Sequence, residues 1–320
     1  MKPFKTHRQQ LSILRGRKMV INDGSKAMRI LENEGYYNVI NGYKDPFLAR
    51  NASGQLINPE EYITNTTFEE VHSLYIFDRE LRNILLKYLL IFEKDIKSKL
   101  SYRFSEKFSS ANAYLDIRSF TNNPDQLKQV VELISIITNT ISKHAKRKET
   151  NPIKHYLDNH QEVPLWVLTN QLTIGNINNF YKCLDDSLKD KIAKDYSDNY
   201  KRNYNISVHI TKESLMDILK TVNMFRNVCA HEERLYCYKL SRPARSSNIS
   251  NLLNIPTTYL IGNLFTVVAQ MKLVLSKKNF NELLRAIKDL FSKFDNKFLT
   301  VTFSDIKLVM GFHPNWESLF

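Results

Sequence analysis

The stretch MFRNVCAHEERLY, residues 224–236, sets two arginines, an amide and an imidazole among apolar neighbours. Without a metal, Arg226, Asn227, His231 and Arg234 can perform only a narrow range of chemistry. Histidine titrates near neutrality and can take or deliver a proton at physiological pH. Arginine is permanently charged and matches phosphate oxygens through two parallel donors. The asparagine amide can orient the imidazole or donate to a non-bridging oxygen. Together they suit attack of an RNA 2′-hydroxyl on its adjacent phosphate, leaving a 2′,3′-cyclic phosphate and a 5′-hydroxyl. DNA lacks that nucleophile. The competing reading is an arginine and a histidine held in a core hydrogen-bond network, and R-x4-H spacing alone does not decide between the two.

Geometry adds a constraint. On an ideal helix five residues advance about 140°, so Arg226 and His231 do not share a face, whereas Asn227 and His231, four apart, do. All three converge only if the helix distorts or a second copy supplies part of the site. Arg234, three beyond His231, returns to the histidine's side. So polar a cluster is costly to bury unpaired, which favours a cleft open to water or to a charged ligand.

Other chemistries find less support. No G-x-S-x-G, Walker-type or dinucleotide-binding glycine pattern is present, so acyl transfer and ATP or NAD chemistry are not expected, and neither is a cofactor. Cys183, Cys229 and Cys237 form no CxxC pair and leave one over, which argues against a disulfide framework. Cys229, His231 and Cys237 lack a fourth ligand for zinc, so no metal is expected. The cysteines read as small buried apolar residues.

The 320 residues are 42% hydrophobic and 25% charged, as in a globular protein, and carry a formal net charge of +13. Such a surplus attracts polyanions, nucleic acid foremost. The basic start MKPFKTHRQQLSILRGRKM lacks a signal-peptide apolar run. The apolar run Ile255–Leu275 is interrupted by Asn263, Gln270 and Lys272 and reads as a buried core helix rather than a membrane span. The expected location is the cytoplasm, with no membrane partner.

Helical periodicity dominates the elements that must position the cluster. Asp23 is placed to cap a helix with Ala27, Ile30 and Leu31 on one face, and Pro46 closes that small helical unit. Residues 48–67 are rich in turn formers and read as a loop or short hairpin. Thr67 and Glu70 form a capping-box pattern. From there to Phe108 no Pro or Gly occurs, and Leu74, Phe77, Leu81, Leu85, Tyr88, Phe92, Ile96 and Leu100 recur every three or four residues. Such a helix would exceed about 60 Å, so a kink or break is expected. Further helices are predicted near 124–147, 151–160, 164–174 and 176–197, with Gly175 breaking the middle pair. Thr211 is expected to cap the helix leading into the cluster. After the polar, basic loop SRPARSSNISN, helices follow near 257–276 and 278–295. The fold is predicted to be mainly α, a helical bundle, divided into an N-terminal helical extension and loop (1–62), a core carrying the motif (63–250) and C-terminal helices packed on it (251–320).

FRNVCAHEERLY resembles the R-[polar]-x3-H signature of the HEPN ribonucleases, in the RN-x-x-AH-x-x-RL form of bacterial Abi-like (AbiD/AbiF-type) abortive-infection proteins. Three further blocks are similar to that family's and stand in its order: LENEGYYNVINGYKDPF, the long SLYIFDRELRNILLKYLLIFEKDIKSKLSYRFSE, and VPLWVLTNQLTIGNINNFY. The resemblance spans about residues 27–240. It implies a HEPN-type helical core and metal-independent RNA cleavage in anti-phage abortive infection, with Arg226, Asn227 and His231 as the catalytic set. HEPN sites are commonly shared between two motifs, and this chain holds one, so a homodimer is implied.

Supporting roles are assigned more loosely. Arg79 and Arg82 fall in the FDR-x-LR block and either help hold RNA or pair along a helix face. Arg234 either grips a neighbouring phosphate or braces the fold. Lys143 and Arg147, with Lys146, Lys148 and His144, form a basic helix end that either meets RNA backbone or answers the helix dipole. Tyr36 and Tyr37 read as core packing rather than base-stacking groups. The alternative function is a non-cleaving RNA-binding protein, held by a small structured non-coding RNA, that senses infection or sequesters a partner such as a phage-derived trigger.

Overall fold

Side-chain caps decide where many of the helices begin. In the computed structural model, which describes residues 3–241 and 246–320, Thr6 and Gln9 form a reciprocal capping box for α1 (His7–Gly16). Asp23 accepts from Lys26 N to open α2 (Gly24–Glu34), as its position predicts. Thr67 and Glu70 make the expected box, with Glu70 N donating to Thr67 Oγ1 at 3.2 Å and Thr67 N donating to Glu70 Oε2 at 3.1 Å. They launch α3 (Phe68–Lys107), a 40-residue helix. The chain continues through α4 (Leu127–Ala145), α5 (Pro152–His160), α6 (Leu165–Leu168), α7 (Ile174–Cys183), α8 (Asp186–Tyr204) and α9 (Lys212–Ala230). It closes with α10 (Ser246–Leu253), α11 (Leu264–Val274), α12 (Lys277–Phe294) and α13 (Phe303–Val309). The fold is mainly α. Among the described residues only isolated bridges occur, two of which, Leu48–Tyr62 and Arg50–Leu56, give the loop after Phe47 its hairpin character.

Several boundaries differ from expectation. The anticipated break in α3 is absent: length alone argued for it, while no Pro or Gly interrupts the hydrogen-bond ladder. The segment 176–197 is two helices, because Asp185 caps α8 by accepting from Leu188 N at 3.1 Å and Leu184 is extended. Gly175 does not break a helix. It lies in the first turn of α7, whose cap is Thr173, and a Cβ there would stand 3.4 Å from Asn223 Oδ1 of α9. The expected loop 241–251 includes the start of α10, and its residues 242–245 lie outside the described ones. The helix predicted from 257 begins at Leu264, behind the Asn263 cap.

Contacts divide the chain into two units. The first comprises Met1–Leu85, His231–Tyr238 and Glu282–Phe320. Its core includes Phe77, whose ring lies 5.4 Å from Phe294 and 5.2 Å from Phe303, both edge-on. Glu70 ties its ends together: Oε1 accepts from the backbone N–H groups of Leu299 and Thr300, each at 2.7 Å. The second unit comprises Leu86–Ala230 and Lys239–Asn281. Phe104, Phe120 and Phe180 pack at centroid separations of 5.4–6.0 Å. Within it α11 is buried at every position but Lys272, as the apolar run predicts. No helix among the described residues is long and apolar enough to cross a membrane.

Glu70 makes a pH-dependent contribution with a definite sign. Burial pushes its carboxyl upward, but the N–H donors of Thr300, Leu299 and Thr67 outweigh burial and leave the pKa below its ordinary value of 4.5. A carboxyl with a depressed folded-state pKa stabilises fully above its unfolded value and loses that contribution as pH falls through the folded one. Urea midpoints of the wild type should therefore drop on acidification below about pH 4.5 more steeply than those of Glu70→Gln. Parallel acid limbs would show that Glu70 is not a linked group.

Candidate functional site

The helix carrying the polar cluster starts where its sequence says, with Ser214 N donating to Thr211 Oγ1 at 3.1 Å. Leu215, Ile218, Leu219, Val222, Phe225 and Cys229 form its buried stripe. That stripe leaves Arg226 and Asn227 on the flank, both half-buried. The helix ends at Ala230, and Glu232 adopts φ 57° in the turn that follows. His231 is thus the first residue beyond the helix, and the 140° offset of a continuous helix does not apply to it.

Arg226 faces a group that sequence reasoning passed over. Its Nε stands 3.4 Å from Glu93 Oε2, a charge contact without hydrogen-bond alignment. Glu93 Oε1 accepts from Lys97 Nζ at 2.8 Å. The Glu93 side chain is only 9% exposed, so its attraction to both cations acts in a medium less polarisable than water. A signal was available: Leu89, Glu93, Ile96 and Leu100 fall at helical spacing, with a carboxylate in a buried apolar row. Glu93 engages Arg226 at Nε, and among the described residues the outer nitrogens at its other edge make no hydrogen bond. A two-point phosphate contact needs such an edge.

His231 is exposed, and among the described residues neither its imidazole nor the Asn227 amide makes a hydrogen bond. The residues after His231 are held firmly. Asp78, fully buried on α3, accepts from Leu235 N at 2.9 Å, Tyr236 N at 2.6 Å, Tyr43 Oη at 2.8 Å and Arg82 Nη1 at 2.7 Å. Arg82 also donates to the Glu233 carbonyl at 3.2 Å. Burial pushes the Asp78 carboxyl above its ordinary pKa, and Arg82, first among the four donors, pulls against that push. The Tyr43 and Tyr236 rings stack at 5.7 Å. Arg234 reaches the Gly42 carbonyl at 3.1 Å and stands 3.5 Å from Asp45. Three separated sequence blocks, GY-x3-F, FDR-x-LR and the residues after His231, therefore meet in one network.

The loosely assigned residues separate accordingly. Arg82 is buried and pairs with Asp78 along its own helix, one of the two roles its spacing offered, and its Nη1 also donates to Tyr43 Oη and the Glu233 carbonyl. Arg79 pairs with Glu34 at 3.0 Å and lies over the Tyr75 ring at 5.4 Å, pairing with α2 rather than along its own helix. The Tyr75 hydroxyl, followed by Arg79, holds the Glu34 carboxyl below its ordinary value. Arg234 braces the fold while remaining 46% exposed. Lys143 closes α4 and Arg147 follows it; both are exposed and neither forms an ion pair among the described residues. Tyr36 is half-buried, but Tyr37 is 77% exposed, so packing does not account for it. Cys183 and Cys229 are buried as expected; Cys237 is exposed, at the end of the clamped segment.

A family model described as Abi-like protein matches residues 29–237. The chain belongs to the Abi-like family. No curated protein and no solved structure matches it. The Abi-like segment takes in the Asp78 network, Glu93 and the whole R-x4-H stretch, and it ends one residue past Tyr236. It leaves out α1 and every helix from α10 onward.

Proposed function

We propose that this Abi-like protein is a metal-independent endoribonuclease of the HEPN type, of the AbiD/AbiF kind, acting in abortive infection of phage-attacked cells. Family membership supports the abortive-infection role. The observation that carries the chemistry is the state of the R-x4-H pair: an exposed imidazole at His231, without a hydrogen bond among the described residues, and a guanidinium at Arg226 held on one edge by Glu93. A structural Arg–His pair would have its donors filled by protein.

In the proposed reaction a neutral His231 accepts the proton of the ribose 2′-hydroxyl as that oxygen attacks the adjacent phosphorus. Arg226 donates to the non-bridging oxygens, whose charge grows in the phosphorane. The P–O5′ bond breaks, and a protonated imidazole, His231 of the partner subunit, delivers a proton to the departing 5′-oxygen. Asn227 orients the imidazole or the phosphate. The homodimer follows from the need for one basic and one acidic imidazole when each chain offers a single motif.

The test is incubation of purified protein with mixed RNA in EDTA, alongside DNA of matching sequence. Cleavage leaving 2′,3′-cyclic phosphate and 5′-hydroxyl ends, with DNA untouched, is the expected result. Absence of cleavage, a requirement for added divalent metal, or 5′-phosphate products would each defeat the proposal.

A further inference from the structure

The excess positive charge is not spread evenly. Residues 1–31 hold eight Lys and Arg against a single acid, Asp23, so a tenth of the chain carries more than half of the +13 surplus. Asp23 is already committed as the cap of α2. Of these cations, Arg17 and Lys18 are neutralised by Glu60 and Glu61. Lys5, Arg8, Arg15, Lys26 and Arg29 are exposed, and none forms an ion pair among the described residues. On α1 Arg8, Ser12 and Arg15 stand four and three apart, which draws one straight row along the helix, and Lys5 lies just before its Thr6 cap. Leu11 and Leu14 occupy the buried side. The row crosses to the next helix: a Cβ on Gly24 would stand 3.1 Å from Arg15 Nη2, which places that guanidinium against the start of α2, two residues before Lys26. Cations at a helix N-terminus are repelled by its dipole. The first two helices and the residues leading into them therefore present five exposed cations, none in an ion pair among the described residues, a concentration of charge that an external polyanion would neutralise.

We propose that the α1–α2 pair is a second nucleic-acid surface, which binds the phosphate backbone of structured RNA independently of the R-x4-H stretch. From Arg8 to Arg15 the row is about 10 Å long, the length of about three phosphates along one strand of a duplex. Salt-sensitive, sequence-independent capture is the expected behaviour. Choosing RNA as the polyanion rests on the function proposed above, but binding here requires no cleavage.

The test uses full-length protein carrying His231→Ala, so that RNA is not consumed, and a fluorescein-labelled hairpin RNA. It compares that protein with a version also carrying R8Q, R15Q, K26Q and R29Q, all exposed positions where glutamine suits a helix. Circular dichroism checks that helix content is kept. The fourfold change should weaken binding at least tenfold and lower the slope of log affinity against log salt by about three. Unchanged affinity and slope would overturn the surface while leaving the nuclease reading intact. Failure of the parent to bind the hairpin would overturn both. Binding to phosphatidylserine vesicles that the fourfold variant loses, with RNA affinity unaltered, would assign the face to a lipid surface and overturn the RNA proposal.

Discussion

His231→Ala should abolish RNA cleavage in EDTA by two to four orders of magnitude while leaving the fold untouched. The expectation on rate follows from the usual contribution of a positioned acid or base, about 10²–10⁴-fold. The expectation on fold follows from the structure: the imidazole is exposed and makes no hydrogen bond among the described residues. Substitutions at such positions change stability by about 0.5 kcal/mol or less. Loss of activity therefore could not be blamed on unfolding, which an unchanged urea midpoint would verify. RNA affinity should survive, because phosphate contacts rather than the imidazole supply it. Cleavage by the variant at the wild-type rate would remove His231 from the mechanism. Tight RNA binding by a wild type that never cuts would instead favour the non-cleaving RNA-binding alternative.

Asp78→Ala is expected to be the most damaging single change to the first unit. The carboxylate has no exposure and answers four donors, two of them backbone N–H groups of Leu235 and Tyr236. Removing it takes from the Arg82 side chain, itself only 6% exposed, the carboxylate 2.7 Å from its Nη1. Breaking a buried pair from one side costs about 3–5 kcal/mol, a large share of the 5–15 kcal/mol by which a domain is stable. The double change Asp78→Ala with Arg82→Leu should recover part of the loss, since the buried guanidinium goes with its carboxylate. Arg79→Ala makes a control on the same helix: its pair with Glu34 is 42% and 30% exposed and should contribute about 1 kcal/mol or less. Equal urea midpoints for wild type and Asp78→Ala would refute the network as a stabilising element. Cleavage should fall with it, because the same carboxylate anchors the chain just beyond His231.

Much of the architecture was readable in advance. Caps at Asp23, Thr67 and Thr211, the stripe of α3, and the buried character of α11 are local properties, set by residues within a few positions of one another. The Thr6–Gln9 box is equally local, a Thr-x-x-Gln pattern just ahead of Leu11 and Leu14. At Leu184–Asp185 the cap is local too, but the apolar period runs on either side of it and hides the boundary.

The catalytic candidates were legible as residue types. Their state was not. That Arg226 meets Glu93 depends on which flank of α9 lies toward α3, a matter of packing between helices some 130 residues apart in the chain. The fate of Arg79 and Arg234 could not be told from spacing, since each is decided by an acceptor brought from elsewhere, Glu34 and the Gly42 carbonyl; Arg82 instead meets Asp78 four residues before it on the same helix, the pairing its spacing offered.

By itself, then, the order of residues determined the helices, their ends, the surplus of positive charge and the chemistry open to one short stretch, because periodicity, capping and side-chain pKa act over single turns. Only the folded chain decided which cations are spent and which are left over. Pairing between charges requires a partner within about 4 Å, and nothing but tertiary packing delivers residues so distant in sequence to that range.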